Sequence, residues 1–374
     1  MKDKDKDKDR KKHIIAITTG CFLFAAGFML VLASRIFQPF AIWYNRYIYP
    51  VWVNVIGRVA GWIPFSVSEV FLYIIIFAVL FTGLRLVIRF ARGKAGKKEG
   101  ISWALRVYLL AGVLFFLYEA NCGINYHRQP FSEVSGIEIR EYSAQELKEV
   151  CLWLTEEVNA RSKAVERDEE GVMRFPEGRS FCVEAEAVKA MQRLGRKYPE
   201  LSGYYPRPKG LMNSRIMSVQ NLTGIYLPFT IEANYNRDIE EYNIPFTACH
   251  ELSHLRGFMQ EEEANFIGFL ASSGSQEIHF QYSGYLMGWT YCMNALYRAD
   301  YDAWEEVREQ LSEEVEPDLK ANREFWAKYD GKIAEVANKV NDTYLKANNQ
   351  KNGVKSYNKM VDLIVAWYKK PDIK

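Results

Sequence analysis

The chain has 374 residues, 49% hydrophobic and 14% aromatic, with a formal net charge of +2. That length allows about two domains. The near-neutral balance argues against a nucleic-acid partner, and several long apolar runs point to a lipid bilayer instead. Residues 1–12, MKDKDKDKDRKK, alternate in charge and can bury nothing, so an unstructured tail ending near His13 is expected. Residues 14–34 then form an uncharged run long enough to cross a membrane. It exceeds the core of a signal peptide and is followed by aromatics rather than a cleavage site. A second span is expected over about 67–88, beginning near Glu69, and a third over about 103–118, where Arg106 must snorkel. Arg85, Arg89, Arg92, Lys94, Lys97 and Lys98 lie around the second connection, against Arg35, Arg46 and Arg58 around the first. Basic loops stay in the cytoplasm. Everything after about residue 119 is therefore expected outside, with the aromatic stretch 40–62 lying at the outer surface of the bilayer.

Beyond residue 121 the sequence becomes mixed and globular. Ser143 and Glu146 make a capping box for a helix running to about residue 160. A loop is expected over 161–178 and a helix over 181–197, stopped by Pro199. Residues 216–231 have the β-rich alternation of strands, and Pro228 confines such a strand to a sheet edge. That edge would either receive an extended peptide or serve as a connecting hairpin. Further helices are expected over 276–300, 301–311, 318–345 and 355–368. The six cysteines, Cys21 in the first span and five beyond it, have irregular spacing and do not form a disulfide framework. The expected fold is α+β: an N-terminal bundle of three transmembrane helices, then a mostly helical domain with a small sheet. The divisions are a cytoplasmic tail over 1–13, a membrane domain over 14–120 and an extracytoplasmic domain over 121–374.

The chemistry concentrates in residues 245–273, PFTACHELSHLRGFMQEEEANFIGFLASS. His250, Glu251 and His254 form an H-E-x-x-H pattern, and residues four apart on a helix can offer two imidazoles to one ion. Glu251 is placed to accept a proton from water at that ion. Pro245 suits the first helical position and Gly257 the residue past the end, giving a helix over about 245–256. A second helix over about 261–272 gathers Glu261, Ala264, Asn265 and Gly268 on one face, where small residues allow close approach. Glu261 is the preferred third ligand and Glu262 the alternative, while Glu263 belongs to an apolar face. Gln260 falls where a third histidine would stand in H-E-x-x-H-x-x-G-x-x-H, and an amide is a weak zinc ligand. Cys249 points away from the histidines and is read as packing. His279 and Tyr282 are outlying candidates, the first for a supporting role and the second for polarising a carbonyl, with a core role weighed against each.

HELSH followed by E-x-x-A-N resembles the gluzincin branch of zinc metallopeptidases. The resemblance implies Zn2+ held by His250, His254 and Glu261, with Glu251 as general base and Asn265 supporting a ligand. The gap between His254 and Glu261 is shorter than in most gluzincins. The whole chain also resembles a family of bacterial multi-pass membrane proteins of unknown function with a zincin-like C-terminal half. The carrying segments are GIYLPFTIEAN (224–234), HELSHLRGF (250–258), EEEANFIGFLA (261–271) and YSGYL (282–286). Together these imply a membrane-anchored zinc metalloendopeptidase that acts on a peptide or protein near the membrane. The competing expectation is a zinc-binding membrane scaffold or sensor that has lost catalysis.

Overall fold

The computed structural model describes residues 2–176, 181–348, 350 and 359–370. Three helices have membrane-crossing length and hydropathy: α1 (Lys2–Ile36), α2 (Val67–Ala91) and α3 (Lys97–Asn121). α1 begins within the charged tail rather than at residue 14. Opposite charges recur three apart in KDKDKDKDR, a spacing a helix supports. α1 and α3 run parallel because small residues on each receive aromatic rings of the other. Gly20 faces Tyr108, Gly112 faces Phe24 and Gly27 faces Phe115, so the helices approach to a distance that a Cβ at Gly20 or Gly27 would forbid. α2 returns the chain between them, and its Thr82 accepts a hydrogen bond from Trp103 (3.0 Å).

Between α1 and α2 the chain forms a strap of five abutting helical pieces, from Gln38–Trp43 to Arg58–Gly61. Two of them, Tyr44–Ile48 and Val53–Gly57, are π-helical turns. The wider turn keeps residues four apart on one face. Trp43, Tyr47, Val51, Val55 and Val59 accordingly make one exposed stripe, while Ala41, Tyr44, Tyr49, Val53 and Ala60 are buried on the other side. The buried side belongs to the same hydrophobic core as the C-terminal part of the chain. That core therefore crosses residue 121.

The C-terminal part is mostly helical. α4 (Ala144–Ser162) opens on the Ser143–Glu146 capping box, and α5 (Val183–Lys197) is strongly amphipathic. β1 (Lys209–Gly210), β2 (Gly224–Leu227) and β3 (Glu232–Tyr235) form a sheet in the order β1-β3-β2, with β1 parallel and β2 antiparallel to β3. The sheet is smaller than the 216–231 alternation suggests. Residues Arg215–Ser218 form a helical turn, Asn221 takes φ 56°, and only 224–227 of that stretch is a strand. β2 is an edge strand, as Pro228 requires, and the central strand β3 lies beyond the stretch read as β.

α6 (Ile244–Leu255), α7 (Glu261–Ser273) and α8 (Ile278–Ala299) follow, then α9 (Tyr301–Arg308). The single helix expected over 318–345 is two, α10 (Glu316–Ala327) and α11 (Lys332–Ala347), separated at Asp330–Gly331, where the chain turns extended. α12 (Met360–Tyr368) covers the end of the helix expected over 355–368, whose beginning lies outside the described residues. All six cysteines are free.

The spans are tied to the sheet at both ends of one contact. Glu232 of β3 accepts from the first backbone N–H groups of α2, Val67 (3.1 Å) and Ser68 (2.8 Å), and pairs with buried Lys209. In return Glu69 of α2 accepts from Met212 N (2.8 Å) and Asn213 N (3.0 Å). The β2–β3 turn completes the junction. Asn121 at the end of α3 donates to Pro228 O (2.9 Å), and Ile231, held at φ 54°, packs on Gly57 of the strap. A β-branched residue in that region costs about 1–3 kcal/mol and persists only where its surroundings fix it.

Candidate metal centre

α6 carries the H-E-x-x-H residues, and its ends fall where Pro245 and Gly257 predict. Every residue of α6 is buried, so the helix is enclosed by its neighbours. Gly257 takes φ +87°, which lets the chain turn sharply into α7. α7 lies against α6 because Gly268 faces the His250 backbone, where a Cβ would stand 3.3 Å from His250 N. That approach brings the Glu261 carboxylate to the two imidazoles.

Glu261 Oε2 stands 3.3 Å from His250 Nε2 and 3.7 Å from His254 Nε2. One donor atom from each of the three residues lies within 4.8 Å of the other two. Two donors on a tetrahedral zinc, each about 2.0–2.1 Å from it, stand about 3.3 Å apart. The donor set, two imidazoles and one carboxylate, matches the ion as well as the spacing does. His254 Nδ1 is paired with the Phe258 carbonyl at 2.8 Å, which fixes Nδ1–H as donor and leaves Nε2 as a lone-pair donor. His250 Nδ1, Asn265 Nδ2 and Glu251 Oε2 are buried without hydrogen-bond partners. The Asn265 amide stands beside the His250 ring, as a supporting residue would.

The electrostatics describe a site that wants a positive charge. Burial disfavours ionisation of Glu261, yet hydrogen bonds from His250 and His254 outweigh it and hold the carboxyl down at about 2. Burial alone would depress His254, but the Glu261 carboxylate raises it to about 9. Burial lowers His250, with His254 adding to the effect. The Glu261 carboxylate thus favours a positive charge at this place, which a bound cation would supply. Glu251 is raised to about 8, chiefly by burial and further by Glu261. Its Oε1 lies 3.9 Å from His250 Nε2, beside the donors rather than among them.

The other candidates have different partners. Glu262 accepts from Gln350 (3.1 Å), Glu263 from Ser132 N (3.1 Å) and Oγ (2.9 Å), and Gln260 donates to Tyr126 O (3.3 Å). Cys249 is fully buried in the core. Tyr282 is fully buried with its hydroxyl on Asp318, and His279 is paired with Glu277 (2.7 Å) and Glu166. Neither of these two joins the cluster, because each is already committed to a carboxylate elsewhere.

Four residues close to the cluster escape a reading by motif. Gly224 crosses directly over Glu251, where a Cβ would stand 2.3 Å from Oε1. Two residues on, Tyr226 presents its ring 6.5 Å from that of His254. Alternate residues of a strand share a face, so the pair Gly224 and Tyr226 is the signal that β2 faces α6. Tyr49 of the strap donates to Leu255 O (3.0 Å) at the end of α6 and also bonds the Tyr226 hydroxyl (2.9 Å). The Tyr291 phenol of α8 faces Asn265. Burial, with the Glu261 charge behind it, pushes that phenol up to about 12.

A family model described as "Protein of unknown function (DUF3810)" matches residues 44–365. The match spans most of the chain, and the chain belongs to that family. No curated protein and no solved structure matches it.

Proposed function

We propose that this member of the DUF3810 family is a membrane-anchored zinc metalloendopeptidase, with its site on the extracytoplasmic side and a peptide or protein at the membrane as substrate. The observation that carries the reading is the convergence of His250, His254 and Glu261 with Glu251 alongside. His250, His254 and Glu261 would hold the zinc. Zinc, when bound, supplies Lewis acidity towards a scissile carbonyl and makes water acidic enough to attack near neutral pH. Glu251 takes the proton that water loses as its oxygen joins the carbonyl carbon. The same carboxyl passes that proton to the amine as the C–N bond breaks. Gly224 leaves room for Glu251 beneath the edge strand, and β2, at the edge of the sheet, would receive an extended substrate. The outward placement rests on the basic residues Arg89, Arg92, Lys94, Lys97 and Lys98 around the α2–α3 connection.

One observation favours the second reading, a zinc-binding scaffold or sensor without turnover. The three donor side chains are only 9–11% exposed, so substrate entry requires movement of a neighbour. Both readings are tested on the full chain in detergent or lipid nanodiscs, by zinc content and by cleavage of an unfolded protein. Glu251→Gln is expected to keep zinc and lower turnover by on the order of 10² to 10⁴. Glu261→Gln is expected to weaken zinc retention, and His250→Ala and His254→Ala to weaken it more. Chelation should abolish cleavage and added zinc restore it. A wild-type chain that holds zinc, cleaves nothing in broad peptide libraries and is indifferent to Glu251→Gln supports the scaffold instead.

A further inference from the structure

α11 is the least embedded long helix of the C-terminal part, with only Ala334 and Leu345 buried along its 16 residues. On another side it shows a stripe of Ile333 (63% exposed), Val336 (60%), Val340 (63%) and Tyr344 (38%). These recur at helical spacing, so they form one continuous apolar face. Lys332, Lys339 and Lys346 recur every seven residues along one border of that face, with Lys346 paired to Asp342 (2.5 Å) and the first two left to meet headgroups. Glu335 and Asp342 fall further round the helix, beyond the lysines.

The end of α11 is fixed at the boundary of the membrane spans. Arg35, in the last turn of α1, donates to Ala347 O (2.7 Å). Tyr118, near the end of α3, donates to Asn348 Oδ1 (2.9 Å) and also bonds the Tyr344 hydroxyl (3.2 Å). α1 and α3 are parallel, so these two anchors mark the same face of the bilayer. A helix tethered there, apolar on one side and lined by lysines at the rim, meets acyl chains with its stripe and anionic headgroups with its ammonium groups.

We infer that α11 is an interfacial helix, whose Ile333–Val336–Val340 face docks on the lipid bilayer beside the ends of α1 and α3. The occupant is lipid because the stripe continues an apolar boundary set by the spans and because cations border it. The inference does not depend on the site being hydrolytic.

The test uses the full chain in vesicles of phosphatidylcholine with a minor share of phosphatidylglycerol. A photo-crosslinking side chain is placed singly at positions 336 and 340, and at 335 and 338 on the polar side. Lipid adducts are expected from 336 and 340 and not from 335 or 338. Adducts between chains from 336 and 340 would assign the stripe to a second copy and overturn the inference, as would equal lipid labelling at all four positions. As an independent measurement, Val336→Asp with Val340→Asp should remove the protection of α11 amides from hydrogen exchange in vesicles. It should leave exchange in α6 and α7 unchanged. Unaltered protection of α11 would also count against lipid docking.

Discussion

At the scale of single residues, glycine does as much at the centre as the charged groups do. Gly268 lets two helices close on each other, Gly257 turns the chain between them, and Gly224 leaves room for a carboxylate. Gly224 is the most informative of these, because the atoms nearest to it belong to Glu251. Gly224→Ala is expected to leave zinc content intact while displacing the Glu251 carboxylate. A misplacement of about 1 Å costs on the order of 10²-fold in rate, so turnover should fall on that scale. Parallel measurement of zinc and cleavage checks this. A coupled loss of zinc and rate would mean that β2 shapes the donors too. Tyr49 acts from a greater distance along the chain. Its hydroxyl satisfies the Leu255 carbonyl, which the end of a helix otherwise leaves without a partner.

At the scale of elements, the junction of α2 with the sheet decides how the site is held. Glu232 caps the first turn of α2 and neutralises Lys209, which is 5% exposed. Glu232→Ala leaves a buried ammonium unpaired and should cost about 3–5 kcal/mol, read as a lowered unfolding midpoint of the detergent-solubilised chain. Lys209→Met added to it should recover part of that loss, because no buried charge is then left alone. Neither carboxylate of this junction was legible in the sequence. Glu69 reads as an ordinary acid at a helix start, and Glu232 sits in EANY, which has no strand signature. The two-residue β1 carries no pattern at all. By contrast, α6 and α7 were legible nearly to the residue, because proline and glycine mark their ends. The small-residue face of α7 also favours Glu261 over Glu262, and it does so through local spacing alone. The break between α10 and α11 is not legible in the sequence, because Asp330–Gly331 separates two amphipathic helices by a short polar interruption. Contacts made across 177 residues, such as Tyr49 on Tyr226, leave no trace in local periodicity.

At the scale of the molecule, the spans and the site share one core. The basic α2–α3 connection predicts an orientation: a reporter fused after Lys374 should behave as extracytoplasmic, and one inserted within 93–98 as cytoplasmic. The reverse pattern would move the metal centre to the cytoplasm and remove the proposed substrate pool. The strap also bears on biosynthesis. Its Tyr49 is made long before the Leu255 carbonyl it serves, and between the two lie both later spans. The end of α6 therefore docks on a strap that is synthesised before it. A fragment cut free at residue 121 would leave that strap behind. The proposed activity, if the centre carries it, would then depend on a contact that a nick at that position severs from its support.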